Sequence, residues 1–340
     1  MSIKTINAVA WIPIRKSLWL EDRVPSDQVQ CISDLLCDLP DALKPTLMWA
    51  RHINVKLDVP SKTIVTHLLN ANSSITSILY DADAVLHLRI EVEFHTNTED
   101  LRHRCTSEEY FNSISEHIPS LCCCNLASAL PDIFLLSTLA YPGRITTLEG
   151  CVFYNEFPLN EVTAVSGIRY PQVDLPQVGT LGFYEVLNWE KSIQVLEKGY
   201  GSGPVGRAFS AFTYIAGPQS TLGSNLFRAM QGLEAFYCKG RAGVTSQLLE
   251  KLKLFLGQKS ATDKEVRTLY ELRSNYVHGS FPIERWRNDT EMDEAAKISS
   301  GNLFKSENTA INLLVVTLQE CVRQRIRDID FSWNLNITTG

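Results

Sequence analysis

Between residues 206 and 329 the chain offers five successive stretches with apolar residues at helical spacing, and this run limits the possible folds more than any other feature. GRAFSAFTYIAG, SNLFRAMQGLEAFY, VTSQLLEKLKLFLG, TDKEVRTLYELRSNYVHG and SENTAINLLVVTLQECVRQRIRDI each carry cap signals at their ends. Most connections between them are short, which favours antiparallel neighbours and predicts a helical bundle. The exception is a polar, charged loop from Ser280 to about Gly301.

Ahead of this run the periodicity is mixed. VLHLRIEVEFH (85–95) alternates Leu86, Leu88, Ile90, Val92 and Phe94 with His87, Arg89, Glu91 and Glu93, a strand with one wet face. RITTLEGCVFYNEF and TAVSGIRY are further strand candidates, and TSEEYFNSISEHI reads as a short helix capped by Thr106. The expected class is therefore α+β: a mixed domain over residues 1–197, then an all-α domain over residues 204–332.

KGYGSGPVG (198–206) reads as the linker between them. Its Gly201, Gly203 and Gly206 have the G-x-G-x-x-G spacing of a dinucleotide-binding turn. That turn needs a strand before it, whereas GFYEVLNWEKSIQVLEKG has helical spacing of Phe183, Val186, Trp189, Ile193 and Leu196. The linker reading is preferred.

The 340 residues, 44% hydrophobic and 21% charged, suit a globular protein. The opening MSIKTINAVAWIPIRKSLW has neither the apolar run nor the small-residue cleavage pattern of a signal peptide. The most apolar window, 121–141, contains Asn125, Pro131 and Asp132, which favours a buried helix pair broken at the proline over a membrane span. Nine cysteines, three of them adjacent (Cys122, Cys123, Cys124), do not form a disulfide framework and point to a reducing cytoplasm. His103, Cys105 and His117 nearby are potential zinc ligands; without a C-x2-C pair, buried thiols are the better reading, and no metal or cofactor is expected. Residues 201–340 hold seventeen Lys and Arg against fourteen Asp and Glu, while the whole chain carries −6. That asymmetry permits a polyanionic ligand on the C-terminal part.

The helix that contains LYELRSNYVHGS carries the candidate chemistry. Thr262 and Glu265 make a capping box at its start, and Gly279 suits the left-handed position that ends it, so His278 is at or near its last residue. On a wheel of about 100° per residue, Arg273 falls in the middle of an arc formed by Val266, Leu269, Tyr270, Tyr276 and Val277. A guanidinium aimed into packing requires an anion, and Glu234, beside the packed stripe Leu226, Met230, Leu233 and Tyr237, is a candidate. Such a pair is either a structural bridge or part of a site. His278 is either a helix cap or a group placed for acid–base work near neutral pH. The two lie about 140° apart on a regular helix. They converge on one phosphate if the helix end loosens at Gly279, or across a symmetric dimer. Lys239, Arg241, Arg285 and Arg287, with Trp286 among them, flank this region in loops and could follow an RNA backbone and stack a base.

Arg273-Ser-Asn-Tyr-Val-His278 is an R-x4-H motif in a helical bundle and resembles the HEPN superfamily. The order of the GLEAFY helix, an intervening helix, LYELRSNYVHGS and a long terminal helix is similar to the Apea-like HEPN group of prokaryotic defence proteins. The resemblance covers about residues 204–332. It implies metal-independent RNA cleavage at a homodimer interface, yielding a 2′,3′-cyclic phosphate and a 5′-hydroxyl. In that scheme His278 assists 2′-hydroxyl attack or protonates the leaving oxygen, and Arg273 stabilises charge on the phosphate. Glu234 orients Arg273, and Ser274 and Asn275 touch RNA or the histidine. Ser274 departs from the Asn, Asp or His of many family nucleases. The superfamily also holds members that only bind a partner protein, a nucleotide or RNA. The N-terminal domain would then sense a trigger ligand or protein, or restrain the nuclease.

Overall fold

The computed structural model describes residues 3–15, 26–43, 55–58, 85–97, 99, 102–103, 105–147, 150–154, 163–165, 178–217, 223–240, 243–257, 261–280 and 294–331. The chain divides into two compact units, Met1–Tyr170 and Pro171–Gly340.

In the first unit, β1 (Ile3–Arg15), α1 (Ser26–Leu43), β2 (Val55–Asp58), β3 (Val85–Asn97), α2 (Glu108–Ala140), β4 (Gly150–Tyr154) and β5 (Thr163–Val165) follow in order. The strands pair antiparallel in the order β2-β3-β1-β4-β5, with Ile3 opposite Asn97 and Arg15 opposite Val85 in the longest ladder. Ala8, Ala10, Ile12 and Ile14 alternate along one face of β1 and are buried; Val9, on the other face, is buried too. The side-chain faces expected for 85–95 lie outside what the structure describes.

The 33-residue α2 corrects two expectations. It runs unbroken through Pro119 and Pro131, where a short helix and a broken pair were expected, and its N-cap is Ser107, whose hydroxyl accepts from the Tyr110 N–H at 3.1 Å. Each proline removes one backbone bond. Buried Ile118, Cys122, Leu126, Leu130, Ile133 and Phe134 supply packing on both sides of Pro131, which offsets that loss. The helix is long and apolar enough to cross a membrane by length and composition, and 67% of its most apolar window is buried within the protein.

The fold class also needs correction. Among the described residues nine helices stand against five strands, and α2 supplies much of the first unit's buried surface. The chain is predominantly helical with one antiparallel sheet, rather than a mixed α+β domain followed by an all-α bundle.

The second unit contains α3 (Phe183–Ile193), α4 (Val195–Lys198), α5 (Gly203–Ala216), α6 (Ser224–Tyr237), α7 (Val244–Leu256), α8 (Asp263–Val277) and α9 (Glu294–Gln324). It begins well ahead of the glycine-rich stretch, so 198–206 does not separate the units. Gly203 to Gly206 already form the first turn of α5. The glycines allow a close approach. A Cβ on Gly201 would lie 1.9 Å from the Gly206 carbonyl oxygen, so two backbones touch where a side chain cannot fit. What precedes them is helical, as the spacing predicts. The terminal helix starts at Glu294, inside the expected polar loop.

Gly232 performs a similar service at the centre of the bundle. Its ideal Cβ would sit 3.0 Å from both Ala211 on α5 and Leu314 on α9, which lets α6 lie between them. Phe236, Tyr237, Phe255 and Phe331 form a cluster of edge-to-face and tilted rings at one end, and the buried Tyr237 hydroxyl is 2.9 Å from that of Thr317.

The start of α6 is held by a buried carboxylate. Glu307 on α9, 3% exposed, accepts from the Gly223 N–H at 2.6 Å, the Leu226 N–H at 3.3 Å and the Asn225 amide at 3.2 Å. It caps α6 from another helix, satisfying donors that a helix start leaves free. Gly223 in turn seats Tyr276: φ is +85°, and a Cβ there would lie 2.4 Å from the Tyr276 ring. Gly223→Ala should therefore lower stability by about 2 kcal/mol or more, measured by denaturant unfolding.

Burial pushes the Glu307 carboxyl above the ordinary value of 4.5, while the Gly223, Asn225 and Leu226 donors pull it the other way. Because folding raises this pKa, its contribution to stability is full below 4.5 and is lost as the pH rises through the raised value. Glu307→Gln, which does not titrate, should gain on the wild type as the pH rises from 4.5 to neutral. The check is the difference between their melting temperatures across that range.

Candidate functional site

The site lies where α8 crosses α6, and local sequence fixes both ends of α8. At its start the Thr262 hydroxyl accepts from the Glu265 N–H at 3.3 Å, and the Glu265 carboxylate accepts from the Thr262 N–H at 2.8 Å. At its end the Gly279 N–H reaches the Tyr276 carbonyl at 3.3 Å and the Ser280 N–H reaches the Asn275 carbonyl at 2.9 Å. With φ +71° at Gly279, this is a Schellman motif, and His278 is the C-cap.

The apolar arc of α8 is only half used. Val266 and Leu269 are buried, Tyr270 is half-buried, and Val277 is 47% exposed. Beyond Tyr270 the packing passes to Tyr276, which sits on Gly223, and this turns Val277 towards solvent.

Arg273 does meet Glu234. Its Nη2 is 3.7 Å from Glu234 Oε2, with each side chain 23% exposed, and its guanidinium carbon is 5.5 Å from the centre of the Phe227 ring. At 3.7 Å the pair is an ion contact rather than a charge-assisted hydrogen bond. Arg273 Nε and Glu234 Oε1 are both buried and have no hydrogen-bond partner among the described residues. Burial raises the Glu234 carboxyl above its ordinary range, with Arg273 pulling it down. Neither group is satisfied by the other, and both keep hydrogen-bonding capacity in reserve.

Phe227 carries a second cation that the sequence reading missed. Arg228 lies 5.7 Å from the same ring and 4.5 Å over the exposed Tyr214, and it bonds the neutral Gln231 at 3.0 Å. The adjacent Phe227-Arg228 pair was the available signal. Two guanidinium groups on one ring favour an anion nearby.

The remaining candidates are scattered. His278 is exposed, and its backbone N–H donates to Ser274. Ser274 and Asn275 are half-buried on the preceding turn. Lys239, past the far end of α6, is exposed and lies 3.5 Å from Asp330. Arg241, Arg285, Trp286 and Arg287 lie outside the described residues. Of the cysteine run, Cys122 and Cys123 are buried and Cys124 is exposed; burial pushes the Cys122 thiol up to about 11. Among the described residues no group of His, Cys, Asp and Glu is arranged to hold a metal ion.

No protein-family model matches the chain, and no curated protein or solved structure matches it either.

A partly exposed pair at 3.7 Å should contribute little to folding. A double-mutant cycle of Glu234→Gln and Arg273→Gln should give a coupling energy of about 0.5–1 kcal/mol by denaturant unfolding.

Proposed function

We propose that the second unit is a metal-independent endoribonuclease of HEPN type that acts as a homodimer in the cytoplasm, in the setting of prokaryotic defence. The observation that carries this reading is the unsatisfied Arg273–Glu234 contact on the helix that the exposed His278 caps. An arginine that served only to bridge helices would be expected to form short, paired hydrogen bonds, because a loose pair that leaves buried atoms unengaged does not recover their desolvation cost. Arg273 instead rests against Phe227 with Nε unengaged, an arrangement suited to taking up a phosphate oxygen.

In this reading RNA lies across two copies of the α8 end. The 2′-hydroxyl gives up its proton and its oxygen attacks the adjacent phosphorus. The bond to the 5′-oxygen breaks, and that oxygen takes a proton. His278 of one protomer serves one of these transfers and a second copy of His278 the other. Arg273 stabilises the charge that builds on the phosphate, and Glu234 sets its direction. The 140° between Arg273 and His278 on one helix is accommodated because each phosphate is served by two helices. Ser274 and Asn275, half-buried between the two residues, border the scissile phosphate. The first unit is assigned the sensing or restraining role.

His278→Ala should abolish cleavage of single-stranded RNA in EDTA while leaving the melting temperature unchanged, since the exposed ring has no structural partner among the described residues. Arg273→Ala should lose cleavage as well, at a modest cost in stability. Equal cleavage by the His278 variant and the wild type overturns the assignment. A large fall in melting temperature for Arg273→Ala, with His278→Ala neutral in every assay, favours the rival reading of a binding module bridged by Arg273 and Glu234.

A further inference from the structure

A second site lies elsewhere in the same unit, where the end of α9 meets the outer face of α3. Trp189 on α3 donates its indole N–H to the Ile326 carbonyl at 2.7 Å, pinning the chain just after α9 against α3. Beside that bond a cavity of about 530 Å³ opens, within the range of small-ligand pockets. Arg323, Arg325 and Arg327 line one side. Tyr184, Asn188 and Ser192, four residues apart on α3, line the other, with Glu185 beside them.

The backbone at Arg325 carries the argument. The Ile326 N–H reaches the Cys321 carbonyl at 2.8 Å and the Arg325 N–H the Val322 carbonyl at 3.1 Å, the same Schellman closure that ends α8. At the end of α8 the left-handed residue is Gly279; here it is Arg325, at φ +55°. An L residue is strained there, and glycine is the residue that fits. Gln194 is left-handed as well, but Arg325 combines that backbone with a charged side chain lining the cavity, and a strained residue so placed is a candidate for function. Among the described residues neither Arg325 nor Arg327 pairs with a carboxylate, whereas Arg323 is 3.2 Å from Glu320. With Arg323 matched by Glu320, Arg325 and Arg327 against Glu185 still leave the cleft cationic.

We propose that this cleft binds a small nucleoside phosphate. Arg325 and Arg327 take the phosphates, and Arg323 stands behind them. The exposed ring of Tyr184 stacks the base. Glu185, Asn188 and Ser192 meet the hydroxyls and amino groups of the nucleoside. This inference does not depend on the ribonuclease reading, because the cleft shares no residue with Arg273, Glu234 or His278.

The test is calorimetric titration of the full chain with ATP, GTP and inorganic pyrophosphate. ATP or GTP should bind saturably, with one site per chain. Arg325→Gly should weaken that binding by about tenfold or more, yet leave the melting temperature unchanged or raise it, because glycine relieves the strain. Tyr184→Ala should weaken nucleotide binding and leave pyrophosphate untouched. Absence of saturable binding by both nucleotides, or Arg325→Gly binding like the wild type, overturns the proposal. So does pyrophosphate binding as tightly as ATP with no effect of Tyr184→Ala, which makes the cleft a bare anion site. Binding of a single-stranded RNA oligomer that neither nucleotide displaces, and that Arg325→Gly abolishes, overturns it in favour of an RNA backbone track. RNA cleavage by the Arg325→Gly chain, measured separately, reports on the other site.

Discussion

The buried carboxylate of Glu307 is the contact on which the C-terminal unit turns. Alone at 3% exposure, it would destabilise the fold; with three donors from the start of α6 it fixes where that helix begins. The position of Gly223 follows, then the seat of the Tyr276 ring, then the path of the last turn of α8. The placement of Arg273 and His278 is thus inherited from a residue on α9 that touches neither.

The Arg273–Glu234 contact has the character of a pair in waiting. Its length, its half-buried environment and the two unengaged atoms give it little value as a bridge. The Phe227 ring beneath the guanidinium holds it in place without consuming a hydrogen bond. This combination, orientation without saturation, underlies the ribonuclease proposal. The second arginine on the same ring extends the electropositive surface towards Tyr214.

Signals that depend on short stretches of chain were legible in the sequence. The capping box at Thr262 and the left-handed Gly279 follow from spacing alone, because caps are set within a few residues; the helix wheel likewise places Arg273 on a packing face, with Glu234 as a candidate partner. Signals that depend on what packs from elsewhere were not. Two prolines in α2 argue locally for breaks, and only the apolar surroundings of both halves keep the helix whole. Val277 belongs to the apolar arc by angle, yet Gly223 captures Tyr276 instead. Glu307 stands among Lys305, Ser306, Asn308 and Thr309, so nothing local marks it as buried or names the donors it meets. Arg285 and Arg287 stand out in the sequence as a basic pair around Trp286, whereas Arg325 is one basic residue among several and is distinguished by its backbone angle.

The contact between Gly201 and Gly206 bears on how glycine patterns are read in any protein. A dinucleotide-binding turn and this helix start use the same spacing because both bring a backbone against another surface with nothing between them. In the first case that surface is a pyrophosphate; here it is the chain's own carbonyl oxygen. The spacing therefore encodes a distance of approach and is silent about the identity of what approaches. A fingerprint of this kind becomes a statement about ligands only when the preceding segment is a strand, and the helices α3 and α4 make it a statement about folding.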